Sequence, residues 1–119
     1  MSQKYTVKVT LAVIGLNLQN GEYNFLSVDK DTLIMPYQEL NAELSISKII
    51  ENIAQIYIDL DINWLTSSLI SCLENQESNI VILYKCIIPL DTTLKNNACW
   101  IPFHKCQHNI LISEVMKSI

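Results

Sequence analysis

Apolar and polar residues alternate through the first stretch of the chain. Val7, Val9, Leu11 and Val13 stand between Thr6, Lys8, Thr10 and their neighbours, which is the period of a half-buried strand. A long strand from Tyr5 to Leu18 is predicted, and Gln19-Asn20-Gly21 after it supplies the Asn-Gly pair that favours a hairpin, since both residues tolerate positive φ. Tyr23 to Val28 is the returning strand. Asp29-Lys30-Asp31 reads as a solvated turn, and Leu33-Ile34-Met35 as a short apolar segment stopped by Pro36. From Pro36 to Leu44 a loop is predicted. Ser45 then stands as an N-cap before Ile46, Ile49, Ile50, Ile53 and Tyr57, whose spacing predicts a helix from about Ile46 to Ile58. Asp59 and Asp61 oppose the helix dipole and mark its end.

The second half repeats this logic. Trp64 to Leu73 and Ile80 to Ile88 predict two strands around the polar turn Glu74 to Asn79, and the continuous run Ile80-Val81-Ile82-Leu83-Tyr84 predicts a strand covered on both faces. Pro89 ends it, and Asp91 to Asn97 is polar loop. Cys99 to Phe103 is a last short strand, and Asn109 to Ser118 a terminal helix with Leu111, Val115 and Ile119 on one stripe. No linker, repeat or low-complexity tract divides residues 1–119, so one α/β (α+β) domain is expected.

Composition narrows the function classes. Apolar residues make up 50% and charged residues only 17%, enough for a real core and a sparsely charged surface with room for apolar contacts. A net charge of -4 argues against a general nucleic-acid binder, which needs clustered cations. All the cationic side chains are lysine, so the bidentate arginine fork for phosphate is missing. Cys72, Cys86, Cys99 and Cys106 contain no CxxC pair and read as buried thiols of an intracellular protein instead of a disulfide framework. The apolar run Val9 to Leu16 alternates like a strand and has no small-residue cleavage site after it. No apolar run reaches the roughly 20 residues of a membrane span. A cytoplasmic or particle-associated chain, not secreted and not in a membrane, is expected.

The order of elements, together with Met35-Pro36, the helix opened by Ser45, and Cys99-Trp100-Ile101-Pro102-Phe103, resembles the Nudix hydrolase family. The resemblance implies a mixed β-sheet flanked by helices. It also implies a box, G-x5-E-x7-R-E-U-x-E-E-x-G-U with U apolar, whose glutamates hold divalent cations. Anchored on Met35-Pro36, the box places Gln38 at the first glycine and Leu44 at the first glutamate. Asn52 falls at the arginine, Ile53 at the next glutamate, Ile56 and Tyr57 at the glutamate pair, and Asp59 at the second glycine. Ala54 and Leu60 keep the apolar positions. Residues at i, i+3 and i+4 share a helix face, and here that face offers Ile53, Ile56 and Tyr57 in place of the hard oxygens that Mg2+ requires. Sliding the register back by one gives Glu43, Asn52, Gln55 and Ile56; sliding it forward gives Ala54, Tyr57 and Ile58 at the last three acidic positions. Neither restores the set. The expectation is a degenerate metal face with no bound metal, no cofactor and no enzyme activity. Tyr37, Gln38 and Glu39 replace the flexible glycine loop, so Tyr37 is expected to fill part of the former pocket. Tyr37, Gln38 and Trp100 are the candidate ligand-pocket residues.

Other groupings have plainer readings beside the functional ones. Cys99, His104, Cys106 and His108 contain zinc-compatible ligands, but their spacing matches no standard zinc pattern, and packed thiols with surface histidines account for them. Cys99 or Cys106 could be a nucleophile beside His104, although nothing local lowers a thiol pKa. Glu39, Glu43 and Glu51 form either a displaced cation site or a solvated face. Trp64, Trp100 and Phe103 are core aromatics or, if exposed, partner contacts. The leading expectation is a catalytically inactive structural or protein-binding module, a subunit of a larger assembly such as a viral or phage particle. Its alternatives are a nucleotide or ADP-ribose-type ligand sensor and a divergent Mg-dependent hydrolase acting through Glu39, Glu43 or Glu51.

Overall fold

The computed structural model describes residues 6–59, 67–74, 79–106 and 109–119. Asp61, Trp64 and His108 lie outside the described residues. Six strands form one mixed sheet, and a helix packs on each face. In chain order the elements are β1 (Thr6–Leu16), β2 (Tyr23–Ser27), β3 (Tyr37–Glu39), α1 (Ile46–Tyr57), β4 (Ser67–Glu74), β5 (Asn79–Pro89), β6 (Cys99–Pro102) and α2 (Ile110–Lys117). A 3-10 turn, Phe103–Lys105, joins β6 toward α2.

β1 organises the sheet, whose order is β4-β5-β1-β2-β6 with β3 also paired to β1. On one side β5 runs parallel to β1 along its whole length, from Thr6 beside Asn79 to Leu16 beside Pro89. On the other side β2 pairs with the second half of β1, Ile14 opposite Phe25, and β3 with the first half, Thr10 opposite Tyr37. β1 is therefore covered on both faces and both edges. Val9, Leu11 and Val13 join Ile49, Ile50 and Ile53 of α1 in one core layer. Ala12 and Ile14 join Phe25, Leu83 and the α2 residues Ile112 and Val115 in the other. The alternation at Thr6 to Thr10 predicted a half-buried strand; from Val9 to Gly15 every residue is buried, because the two helices cover opposite faces of the same strand.

The hairpin, the Ser45 cap and both helices form where the pattern placed them. In the hairpin Gly21 takes φ 73°, while Asn20 turns the chain through its side chain, accepting from the Glu22 N–H. The Ser45 hydroxyl accepts from the Lys48 N–H at 3.2 Å, and Asn109 caps α2 by accepting from Ile112 at 2.9 Å. The stretch from Pro36 to Leu44, read as loop, contains β3. The apolar signal there is weak because β3 has only three residues, and backbone bonds to β1 hold it: Leu11 N–H donates to Pro36 C=O, and Leu40 N–H to Val7 C=O.

Candidate functional site

The end of α1 is where the metal face was expected, and the structure distributes its three residues unequally. Ile53 is only 2% exposed and belongs to the core beneath the helix. Ile56 is 44% exposed, and Tyr57 packs half-buried against the same core. The loop after β5 ties down the helix end. Lys95 N–H donates to Tyr57 C=O at 2.8 Å, the Asn96 side-chain amide to Ile56 C=O, and Asp59 N–H to Thr93 C=O at 2.9 Å. Asn96 and Asn97 make this approach with φ of 55° and 63°, a region asparagine tolerates better than most residues. The carbonyls of Ile56 and Tyr57 at the end of α1 are thus satisfied by protein. Glu51 is ion-paired with Lys48 at 3.6 Å on the exposed side of the helix. Among the described residues no three His, Cys, Asp or Glu side chains group as a metal-ligand set. Glu51 is the one acidic side chain within α1, Ile46–Tyr57.

The expected pocket of Tyr37, Gln38 and Trp100 does not assemble. Tyr37 lies opposite Thr10 and Gln38 opposite Val9, so their side chains leave opposite faces of the sheet. Tyr37 is 53% exposed, with the Lys8 ammonium 4.9 Å from its ring centre, instead of being packed into a former pocket. Trp100 sits opposite Leu26 on the α1 face. Its ring lies against Gly15, where an added Cβ would come within 2.9 Å of two ring carbons. Glycine at that position makes room for the indole.

Trp100 instead lines a cleft with residues that sequence reading left as turn. Ser27, fully buried at the end of β2, builds one wall. Its hydroxyl lies 2.6 Å from Asp29 C=O and 2.7 Å from Thr32 C=O, and it accepts from the N–H groups of Asp29 and Ile34. Val28 N–H closes the loop by donating to Ile34 C=O at 2.9 Å. One hydroxyl thus folds residues 28–34 into a compact loop that presents Lys30, Asp31 and Thr32. The opposite wall is Trp100 to Pro102 with Lys105 from the 3-10 turn, and the cleft between them measures about 390 Å3. β2–β6 pairing, Ser27 opposite Cys99, brings the walls together across some seventy residues of sequence, so no local signal could have joined Lys30 to Lys105. Two of the eight lysines against one aspartate give this cleft a net positive lining in a protein of net charge -4. A larger cleft of about 450 Å3, beyond the ends of β1 and β5, has no cationic residue in its lining.

The thiols take separate places, and not all are buried as expected: Cys86 is buried, Cys99 and Cys106 are half-buried, and Cys72 on the edge strand is exposed. Cys99 Sγ is 3.7 Å from Asp29 C=O, and Cys106 Sγ is 3.4 Å from Pro102 C=O, while His104 is exposed. Burial raises the Cys106 pKa, the reverse of what a nucleophile needs, and pushes Cys86 up to about 12. No helix among the described residues is long and apolar enough to cross a membrane.

Neither a known sequence family nor a curated protein matches the chain. Solved structures do match. A MutT/nudix family protein from Listeria innocua aligns with TM-score 0.74 at 10% identity, over 98% of this chain and 95% of that one. The NUDIX domain of Shewanella oneidensis NrtR, solved with ADP ribose, aligns with TM-score 0.68 at 7% identity, over 98% and 90%. The C. elegans Ap4A hydrolase aligns with TM-score 0.60 at 14% identity, over 95% and 94%. The chain spans only 45% of a MutT/nudix family protein from Enterococcus faecalis that aligns with TM-score 0.64 at 10% identity. The fold is Nudix-like. The expectation that the chain is not an enzyme is overturned: its architecture is one that hydrolases use, and missing acids at the aligned box positions do not take it out of that architecture.

Proposed function

We propose that this Nudix-like domain binds a phosphate-bearing ligand of the nucleoside-diphosphate or ADP-ribose kind, in the cleft between the 28–34 loop and β6. One observation carries the reading: Lys30 and Lys105 line the same cleft as Trp100. Lysine serves phosphate as a point charge where arginine is missing, and an indole supplies the aromatic surface that a base stacks on. The ADP ribose bound by the NrtR domain of the same fold supports the ligand class.

A ligand that binds only the folded state raises its melting temperature, so ADP-ribose and nucleoside diphosphates should each be tested by thermal shift. Lys30→Ala and Lys105→Ala should each weaken binding about tenfold, the scale of one charge-assisted hydrogen bond, and leave the unliganded melting temperature unchanged. The same samples with Mg2+ or Mn2+, assayed for released phosphate or mononucleotide, report whether the bound ligand is also cleaved. No shift at millimolar ligand, or shifts in both lysine variants as large as that of the unaltered protein, would count against the proposal.

A second reading, a protein-binding subunit of a larger assembly, is favoured by the apolar side chains left in solvent, Leu18, Leu69 and Ile110 among them. Purification of the native protein with size-exclusion and light scattering tests it; a partner-free monomer opposes it.

A further inference from the structure

A hydroxyl closes β2 at a position where the strand's own pattern calls for an apolar side chain. Ser27 follows Phe25 on one face of the strand, and Phe25 belongs to the core beside α2. Ser27 is fully buried. A hydroxyl withdrawn from water costs stability unless new hydrogen bonds replace the old. Its partners are all in the loop that follows. It accepts from the N–H groups of Asp29 at 3.1 Å and Ile34 at 3.0 Å, and its one proton serves the carbonyls of Asp29 and Thr32. Ser27 also pairs with Cys99, whose Sγ lies 3.7 Å from Asp29 C=O. The hydroxyl therefore stands where the 28–34 loop meets β6, the two walls of the Lys30–Lys105 cleft. Being buried, it presents no surface to a ligand.

We infer that Ser27 is a positioning residue for this cleft: its hydroxyl holds Lys30 in place opposite Lys105 before a ligand arrives. The inference rests on the phosphate-binding reading above and names what gives that site its shape. Lys30, Asp31 and Thr32 are exposed, so few side-chain contacts of their own order them. A lysine on an unanchored loop must be ordered at the moment of binding, and that cost is taken from affinity. The Ser27 hydroxyl removes it by folding the loop in advance. Without the hydroxyl, the Asp29 and Ile34 N–H groups lose their acceptor and reach water only if the loop opens. Lys30 then leaves its place. Lys105, carried by the 3-10 turn Phe103–Lys105 after β6, keeps its own. Ser27 thus acts through one lysine and not through the other.

The probe is ADP-ribose or ADP, whichever raises the melting temperature more, titrated into the full chain. Ser27→Ala should weaken its binding about tenfold. In that background Lys30→Ala should add less than about threefold, while Lys105→Ala still adds about tenfold. A general loosening of the fold would not single out one lysine in this way. Amide exchange supplies a measurement that needs no variant. In the unliganded, unaltered protein the Asp29 and Ile34 amides should exchange as slowly as those of β2. Free exchange at both would overturn the inference, even if Ser27→Ala failed to fold. Losses from Ser27→Ala and Lys30→Ala that simply add would overturn it alone and leave the ligand reading standing. No shift in the unaltered protein with either probe would remove both.

Discussion

Two isoleucines and one tyrosine at the end of α1, Ile53, Ile56 and Tyr57, have different surroundings in the structure. Ile53 is sealed in the core, whereas Ile56 faces solvent three residues later. Restoring the box acids should therefore have opposite consequences at the two positions. Ile53→Glu places a carboxylate where nothing pairs with it. It should cost about 3 kcal/mol or more, read as a drop in urea midpoint. Ile56→Glu should change stability by no more than about 0.5 kcal/mol. Equal tolerance at both positions would show that α1 does not sit on the sheet as described. The sequence marked all three as an apolar face in place of box acids. It could not say which one faced the core, because apolar side chains at i, i+3 and i+4 fit either a buried stripe or the margin of one.

At the scale of elements, local chemistry is the best guide. Ser45 and Asn109 each place a side-chain oxygen on an orphan N–H three residues on. Replacing either by alanine should remove about 1 kcal/mol, seen in equilibrium unfolding, with glycine costing only a few tenths. A loss below about 0.3 kcal/mol on alanine substitution would mean that the cap is satisfied by water. The helices were legible for this reason: cap, spacing and apolar stripe lie within one segment. β3 was not. Three residues cannot show a period, and its place comes from bonds to β1, about thirty positions earlier in the chain. The compact loop of residues 28–34 is similar. It read as a solvated turn, yet a single buried hydroxyl, Ser27, gathers it from within.

For the molecule as a whole, stability should follow distance from the sheet edges. β1 is hydrogen-bonded on both sides and covered by both helices, while β4 and β6 each have one free side among the described residues. Amide hydrogen exchange should be slowest in β1 and β5, and faster in β6. Uniform exchange across the strands would contradict a core centred on β1. The candidate cleft belongs to this scale too. Lys30 and Lys105 meet because β2 and β6 are neighbours in the sheet.

The sequence by itself determined the succession of strands and helices apart from β3, the caps, the hairpin and the apolar character of α1. These depend on periodicity and on hydrogen bonds between residues a few positions apart. Only the tertiary structure decided which side chains share a cavity. It separated Tyr37 from Gln38 and Trp100 by the alternation of a strand, and it joined Trp100 to two distant lysines by strand pairing. A site is a meeting of residues remote along the chain. Their meeting is fixed by how buried faces pack, which no short stretch of sequence contains.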